Sequence, residues 1–376
     1  MSMKVPPPLN RRQWLKLAAA TTTGLVLAPR LPAASPAVAA ARITPPGLVQ
    51  LSLNENAFGP SPRALAAMQA HLGEVGRYPF ALAPQLVRTL AEKEVVTPNH
   101  ILIGSGSGEL LEAVGMYLGR DGGEVVSAVP GYFQMVGAMQ RVGARSVAMP
   151  LNARLEHDLD AMAAAVGPET KCVYVCNPNN PTSTLTPAAD LRAFVIAMAE
   201  RTHVFVDEAY LDCADDYAAN TLVDLVQAGH NVTIARTFSK IHGLAGQRIG
   251  YTVMAPELAK AVRPLMTGSA NLLGVVAAQA SLADPDYIEL LRLRIKAGRD
   301  ALMGLLDNLG CHYAVPQGSF VFFQTGRPIA KFQAAMRAEG ILVARPFPPL
   351  LDWCRITIGT EEEMMRTHAA IRKVLG

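Results

Sequence analysis

Half of the 376 residues are apolar, 17% are charged and 6% are aromatic, a balance that excludes a disordered or collagen-like chain and supplies material for a full core. Lys and Arg outnumber Asp and Glu by 34 to 31, but the first 39 residues hold five of the cations and no acid, leaving 29 against 31 in the remainder. The body therefore offers no cationic excess for nucleic acid or an anionic membrane surface, and a small-molecule partner is favoured.

At the start of the chain, Asn10-Arg11-Arg12-Gln13-Trp14-Leu15-Lys16 is followed by a mildly apolar stretch from Leu17 to Ala28, by Pro29 and Pro32, and by Ala37-Val38-Ala39. This order resembles a twin-arginine export signal, with cleavage near Ala39. The apolar stretch is diluted by Thr21, Thr22, Thr23 and Gly24 and falls short of the roughly 20 residues that a membrane span requires. It reads as an address for the twin-arginine translocation machinery and a periplasmic destination, with no stable membrane anchor. The alternative is an Ala-rich tail on a cytoplasmic protein.

From about residue 100, short apolar runs alternate with helical patterns. The runs are Ile101 to Ile103, Glu124 to Ala128, Ser146 to Met149, Cys172 to Cys176, Val204 to Val206, Val232 to Ala235 and Ile249 to Met254. Between them lie periodic stretches such as Glu109 to Leu118, Pro187 to Arg201 and Thr221 to Ala228. Such alternation predicts an α/β domain with a mainly parallel seven-stranded sheet, and a ligand site at the carboxyl ends of the strands. After Pro256 the pattern changes to long helices, including Tyr287 to Leu309, then two strand-like runs, Ser319 to Gln324 and Cys354 to Ile358, and a closing helix near Glu361 to Leu375. A smaller α+β domain is expected there. The divisions are 1–39 for the signal, 40–72 for a segment packing with the small domain, 73–255 for the large domain and 256–376 for the connecting helix and small domain. Five cysteines without a CxxC pair and eight histidines without HxxxH or HExxH spacing predict neither a disulfide framework nor a metal site.

The informative polar groups fall where predicted strands end. Asn177-Pro178-Asn179-Asn180-Pro181-Thr182 follows one strand, Asp207-Glu208-Ala209-Tyr210 the next, and Thr237-Phe238-Ser239-Lys240 the third; Arg248 returns to the same rim. Upstream, Gly104-Ser105-Gly106-Ser107-Gly108-Glu109 joins the first strand to a helix and can aim backbone N–H groups at a phosphate. Tyr132, after Pro130-Gly131, can place an aromatic face over a flat ligand. Singly each has a bland alternative: Asp207 a helix cap, Asn180 a turn former, Lys240 a solvated side chain, Arg248 a surface ion pair. Jointly they suit pyridoxal 5'-phosphate, which needs a lysine for its imine, an acid for its ring nitrogen, donors to its phenolic oxygen and a phosphate cradle.

NPNNPT, VDEAY and SKIHGLAGQRIG, in that order and spacing, resemble the fold type I pyridoxal-phosphate aminotransferases of class I/II, above all the histidinol-phosphate aminotransferase group. Asn54-Glu55-Asn56 with Phe58-Gly59-Pro60, Arg77-Tyr78-Pro79 and Cys354-Arg355-Ile356-Thr357-Ile358-Gly359 support the likeness, which runs from about residue 45 to the C-terminus. The resemblance implies a three-layer α/β/α large domain. It implies that Lys240 forms the imine and moves the α-proton, that Asp207 pairs with the ring nitrogen, and that Asn180 and Tyr210 bind the phenolic oxygen. Tyr132 would stack on the ring, while Ser107, Gly108, Ser239 and Arg248 would hold the phosphate. Tyr78 would reach the neighbouring subunit's cofactor, which makes a homodimer the implied unit. Asn56, Arg355 and Arg345 would bind substrate, histidinol phosphate or a similar amino compound, with 2-oxoglutarate as acceptor. Three departures bear on the pocket: Gly108 stands where the group usually carries an acid, Ser183 replaces the glycine that closes NPNNPTG, and Ala57 replaces a proline. Other readings are an aminotransferase for aromatic or other amino acids, a phosphothreonine-type decarboxylase, or a non-catalytic binding protein on the same fold.

Overall fold

The computed structural model describes residues 44–376, so the signal-like segment lies outside the described residues. Among the described residues eleven strands occur in chain order: β1 (Val49–Gln50), β2 (Ile101–Gly104), β3 (Glu124–Val129), β4 (Arg145–Pro150), β5 (Thr170–Cys176), β6 (His203–Asp207), β7 (Val232–Thr237), β8 (Gly250–Val253), β9 (Phe320–Gln324), β10 (Ile341–Leu342) and β11 (Trp353–Thr357). β2 to β8 form one seven-stranded sheet in the order β2-β8-β7-β6-β5-β3-β4, in which β8 alone runs antiparallel to its neighbours. All seven coincide with the apolar runs read from the sequence.

Those runs are mostly apolar because helices cover both faces of the sheet. Along β5, Val173 and Val175 enter one core while Cys172, Tyr174 and Cys176 enter the other, the alternation that a pleated strand imposes. One core is closed by the helices Ala83–Lys93, Ala188–Ala199 and Leu272–Leu282, the other by Ser107–Gly119, Gln134–Arg141 and Pro256–Val262. This is the expected three-layer α/β/α architecture. Asp207 ends β6 in phase with Phe205, on the side of Tyr174, and this phase decides which face carries the polar site.

A separate core gathers Val49 and Leu51 with Leu302, Leu305, Phe323, Phe332, Ile356 and Ile371. The antiparallel pair β9–β11, the long helix Pro285–Asn308 and the helices Ile329–Ala338 and Glu361–Leu375 enclose it. The last helix starts with a capping box in which Thr360 and Glu363 satisfy each other's backbone amides.

Two expected divisions shift. The 40–72 segment does not pack as one piece with the small domain. β1 pairs in parallel with β10 and Leu51 joins the small core, whereas the helix Pro62–Ala70 turns Ala64 into the large core beside Leu272–Leu282. Likewise the large domain runs past residue 255, because Ala259 and Val262 complete one core and Val275, Ala277 and Ala278 the other. The helix Leu272–Leu282 is apolar nearly all round and needs cover on several sides, which a solvent-facing linker could not give. β1 and β10, two residues each, are too short to leave a periodic signal.

Candidate active site

A cavity of about 370 Å³ opens at the carboxyl ends of the sheet strands and is lined by Lys240, Asp207, Tyr210, Asn180, Tyr132, Ser107, Gly108, Ser239, Arg248, Arg345 and Arg355. Lys240 and Asp207 reach it from the ends of adjacent strands β7 and β6. The Lys240 ammonium donates to the carbonyl of Asn54 at 3.0 Å. Burial and the nearby Arg355 charge hold the Lys240 pKa down at about 8, against the opposing pull of Glu55 and Asp207. Asp207 is pushed the other way, up to about 6, by burial, which outweighs the hydroxyl of Tyr174 at 3.0 Å, the amide of Ala209 at 3.1 Å and the Lys240 charge.

The hydroxyl of Tyr210 receives two side-chain amides, from Nδ2 of Asn54 at 3.1 Å and Nδ2 of Asn180 at 3.3 Å. Asn54 is fixed in turn by Thr357, whose hydroxyl donates to Oδ1 at 3.0 Å and accepts from the Asn54 amide at 3.0 Å. Asn54 has φ 56, a left-handed conformation that asparagine tolerates better than most residues. Arg355 donates through Nη1 to Oδ1 of Asn180 at 2.6 Å and through Nη2 to the carbonyl of Ser52 at 2.7 Å, while its buried Nε has no partner. Burial lowers the Arg355 pKa to about 10.

The helix Ser107–Gly119 starts at Gly106 with no side-chain cap, so its first amides are free for a ligand beside Ser107. Gly106 has φ 83, and a Cβ there would run into the Arg248 guanidinium. That guanidinium donates to Oγ of Ser239 at 3.3 Å and the carbonyl of Ala245 at 3.2 Å, so cation, hydroxyl and helix start converge. Glu109 faces away from this cradle, accepting the amides of Ser105 at 2.7 Å and Gly268 at 2.5 Å. A phosphate cradle, a lysine, a buried acid and a hydroxyl flanked by amide donors fit pyridoxal phosphate.

Asn56 does not line this cavity: its Nδ2 is spent on the carbonyl of Ile241 at 2.7 Å and its Oδ1 on the amide of Phe58 at 2.9 Å. Two residues earlier, Asn54 occupies the wall instead. The motif is legible in the sequence, but which of its two asparagines meets the cavity is not, because side-chain direction through an irregular stretch is not encoded locally. Tyr78 also lies elsewhere, 76% exposed, stacked on Phe80 and lining a surface cavity with Asn271 and Leu272. Gln134, which belongs to none of the sequence motifs, also lines the active cavity. Ser183 has φ 65, the region where glycine is at ease, and its hydroxyl accepts the amide of Gly318 at 2.7 Å. Among the described residues no three His, Cys, Asp or Glu side chains group as a metal site, and no helix is long and apolar enough to cross a membrane.

The arrangement defines a pyridoxal-phosphate site at the strand ends of a mainly parallel sheet. Residues 46–371 match the family described as aminotransferase class I and II, and the chain belongs to that family of pyridoxal-phosphate-dependent enzymes. It is 39% identical over 335 residues to a histidinol-phosphate aminotransferase of Symbiobacterium thermophilum, covering 88% of this chain and 91% of that protein. A histidinol-phosphate aminotransferase of Moorella thermoacetica is 35% identical, with 87% and 86% covered. In structure, the chain resembles the histidinol-phosphate aminotransferase of Sinorhizobium meliloti in complex with pyridoxal-5'-phosphate, with TM-score 0.80, 32% identity and 87% and 90% of the chains covered.

Proposed function

We propose that this aminotransferase takes histidinol phosphate, or a closely similar amino compound, as donor and 2-oxoglutarate as acceptor. The observation that carries the reading is Arg355, 7% exposed, braced by Asn180 and Ser52 at the wall of the Lys240 cavity with Arg345 lining the same space. Two guanidinium groups suit a phosphate on the donor and a carboxylate on the acceptor, which occupy one site in alternation. The names of the relatives at 39% and 35% identity support the same substrate.

When bound, pyridoxal phosphate supplies a carbonyl carbon for the donor nitrogen and a ring that draws electrons from the α-carbon. Lys240 would hold the cofactor through its Nζ and would carry the α-proton on the same atom. A pKa near 8 lets it shed a proton far more readily than an ordinary lysine. Asp207 would keep the ring nitrogen protonated, and a cation against it would favour its charged form. Tyr210 and Asn180 would steady the phenolic oxygen, Tyr132 would face the ring, and Ser107, Gly108, Ser239 and Arg248 would hold the phosphate.

The same reading takes a homodimer as the active unit, with Tyr78 reaching the partner's cofactor. Its support is a run of exposed apolar side chains, Leu72, Val75, Tyr78 and Phe80, that water covers poorly. Arg11 and Arg12 would direct the folded enzyme to the periplasm, and failure of an Arg11→Lys, Arg12→Lys chain to lose export would refute that route.

The test mixes cofactor-loaded protein with a panel of amino donors and follows the visible absorbance of the bound cofactor within one turnover. Bleaching by histidinol phosphate with consumption of 2-oxoglutarate is expected. Bleaching only by aromatic or other amino acids, or release of carbon dioxide, overturns the substrate assignment.

A further inference from the structure

Gln134 has no part in the chemistry above, yet it lines the same cavity as Lys240 and Asp207. The Tyr132 hydroxyl donates to its Oε1 at 2.6 Å, and its Nε2 donates to the carbonyl of Gly108 at 3.3 Å and to Oε1 of Glu112 at 3.3 Å. Glu112 is itself paired with Arg141, so it is an anchored acceptor. That anchoring sets the amide: Nε2 must face Glu112 and the Gly108 carbonyl, which only accept, and Oε1 must face the phenol, which then has to donate. A chain of bonds thus runs from Arg141 through Glu112 and Gln134 to the ring of Tyr132.

Gly108 leaves the room that this amide fills. A Cβ at position 108 would stand 3.0 Å from both Nε2 and Oε1 of Gln134, so a side chain there would push the amide a few tenths of an ångström off its present place.

We propose that Gln134 is the positioning residue for Tyr132, fixing the phenol ring in the one orientation in which its face meets the pyridoxal ring. The inference rests on the reading of Tyr132 as the residue that faces the cofactor. A ring already locked through its hydroxyl loses little freedom when the cofactor enters, so the bond strengthens cofactor retention without touching the cofactor.

The test measures the rate of pyridoxal phosphate release from holoenzyme, together with the position of its visible absorbance band, in Tyr132→Phe, Gln134→Met and the double variant. Each single change should speed release about fivefold, the factor for one ordinary hydrogen bond, and shift the band alike. The double variant should release no faster than either single. Independent effects that multiply to about 25-fold would reduce Gln134 to a space filler and overturn the proposal. If Gln134→Met fails to fold, Tyr132→Phe alone decides, since the hydroxyl has Gln134 as its partner: an unchanged release rate overturns the proposal. Tyr132→Ala separates the two levels. Unchanged release there refutes Tyr132 as a cofactor contact, whereas fast release there with native release in Gln134→Met refutes only the positioning by Gln134.

Discussion

Nη1 of Arg355 donates a 2.6 Å hydrogen bond to Oδ1 of Asn180, tying β11 of the smaller domain to the loop after β5. The Nδ2 of the same amide donates to the Tyr210 hydroxyl at 3.3 Å, so Arg355, proposed to bind the substrate anion, is linked through Asn180 to the hydroxyl proposed to meet the phenolic oxygen. Arg355→Lys replaces a planar fork with a single ammonium that cannot brace on both Asn180 and Ser52. We expect KM for histidinol phosphate to rise about tenfold or more while cofactor remains bound, from the loss of one charge-assisted hydrogen bond. Steady-state kinetics with unchanged KM would sink this role.

Lys240 and Asp207 separate by their effects on absorbance. Lys240→Ala should lose both the visible band of the bound cofactor and turnover. Asp207→Ala should keep cofactor but lose about 10²-fold or more in kcat, because the ring nitrogen no longer has its acid. Full activity in the Asp207 variant, measured after cofactor loading, would refute the electron-withdrawing role.

Ser183 carries a compromise that substitution can expose. Its φ of 65 costs a non-glycine residue about 1 to 2 kcal/mol, and its hydroxyl recovers part of that by accepting the buried amide of Gly318 at 2.7 Å. Ser183→Ala keeps the strain and strands the amide, so it should destabilise by about 1 to 3 kcal/mol. Ser183→Gly loses the same bond but relieves the backbone, and should come out near neutral. Equal destabilisation of both in urea titrations would contradict this account.

Arg236 is buried between Glu94 and Glu208, donating to Glu94 at 2.9 Å and to Glu208 at 2.8 Å. It links the helix Ala83–Lys93 to the ends of β6 and β7, beneath the strands that deliver Asp207 and Lys240. Arg236→Met leaves the buried Glu208 without its cation, while Glu94 keeps Lys93 at 2.7 Å, and should cost about 3 to 5 kcal/mol, read by denaturant unfolding. A loss under 1 kcal/mol would show that the trio adds no stability.

Acid should unfold the cofactor-free protein through its buried histidines. Burial lowers His157, His203 and His242 to about 4 from an ordinary value of 6.5. Between those values the unfolded chain binds more protons than the native one, so stability is full above about 6.5 and falls away as pH drops toward 4. Each histidine contributes about 3 kcal/mol across that window. Asp207, raised to about 6, and Glu208, also raised by burial, work in the opposite sense, since the native state holds their protons more tightly, but they are two groups against three. Unfolding free energies at pH 7.5 and pH 5 check the sign, and equal values would overturn it.

What could be read without the structure was what chain-local pattern encodes. The apolar runs from Ile101 to Met254 announce strands because a strand covered on both faces has no polar side to show. Asn180, Asp207 and Lys240 announce a site because each directly follows such a run, and strand ends of a parallel sheet meet at one rim. The motifs around them carry the family in the same local way.

Contacts across the fold decided the rest. Asn54 and Asn56 are two residues apart in an irregular stretch, and which one meets the cavity depends on Thr357, 303 positions from Asn54, and on Ile241, 185 positions from Asn56. Gln134 gained its meaning only when helix packing set it against Gly108 and Glu112, 26 and 22 positions away. The helix Pro62–Ala70 took the large core rather than the small one because the apolar helix Leu272–Leu282 needed a neighbour there. Sequence by itself determined the chemistry, since the residue types at strand ends dictate what can be bound and which proton can move. The tertiary structure alone determined which neighbour of each motif completes the site, because burial and hydrogen bonding between distant segments are settled only when the layers close.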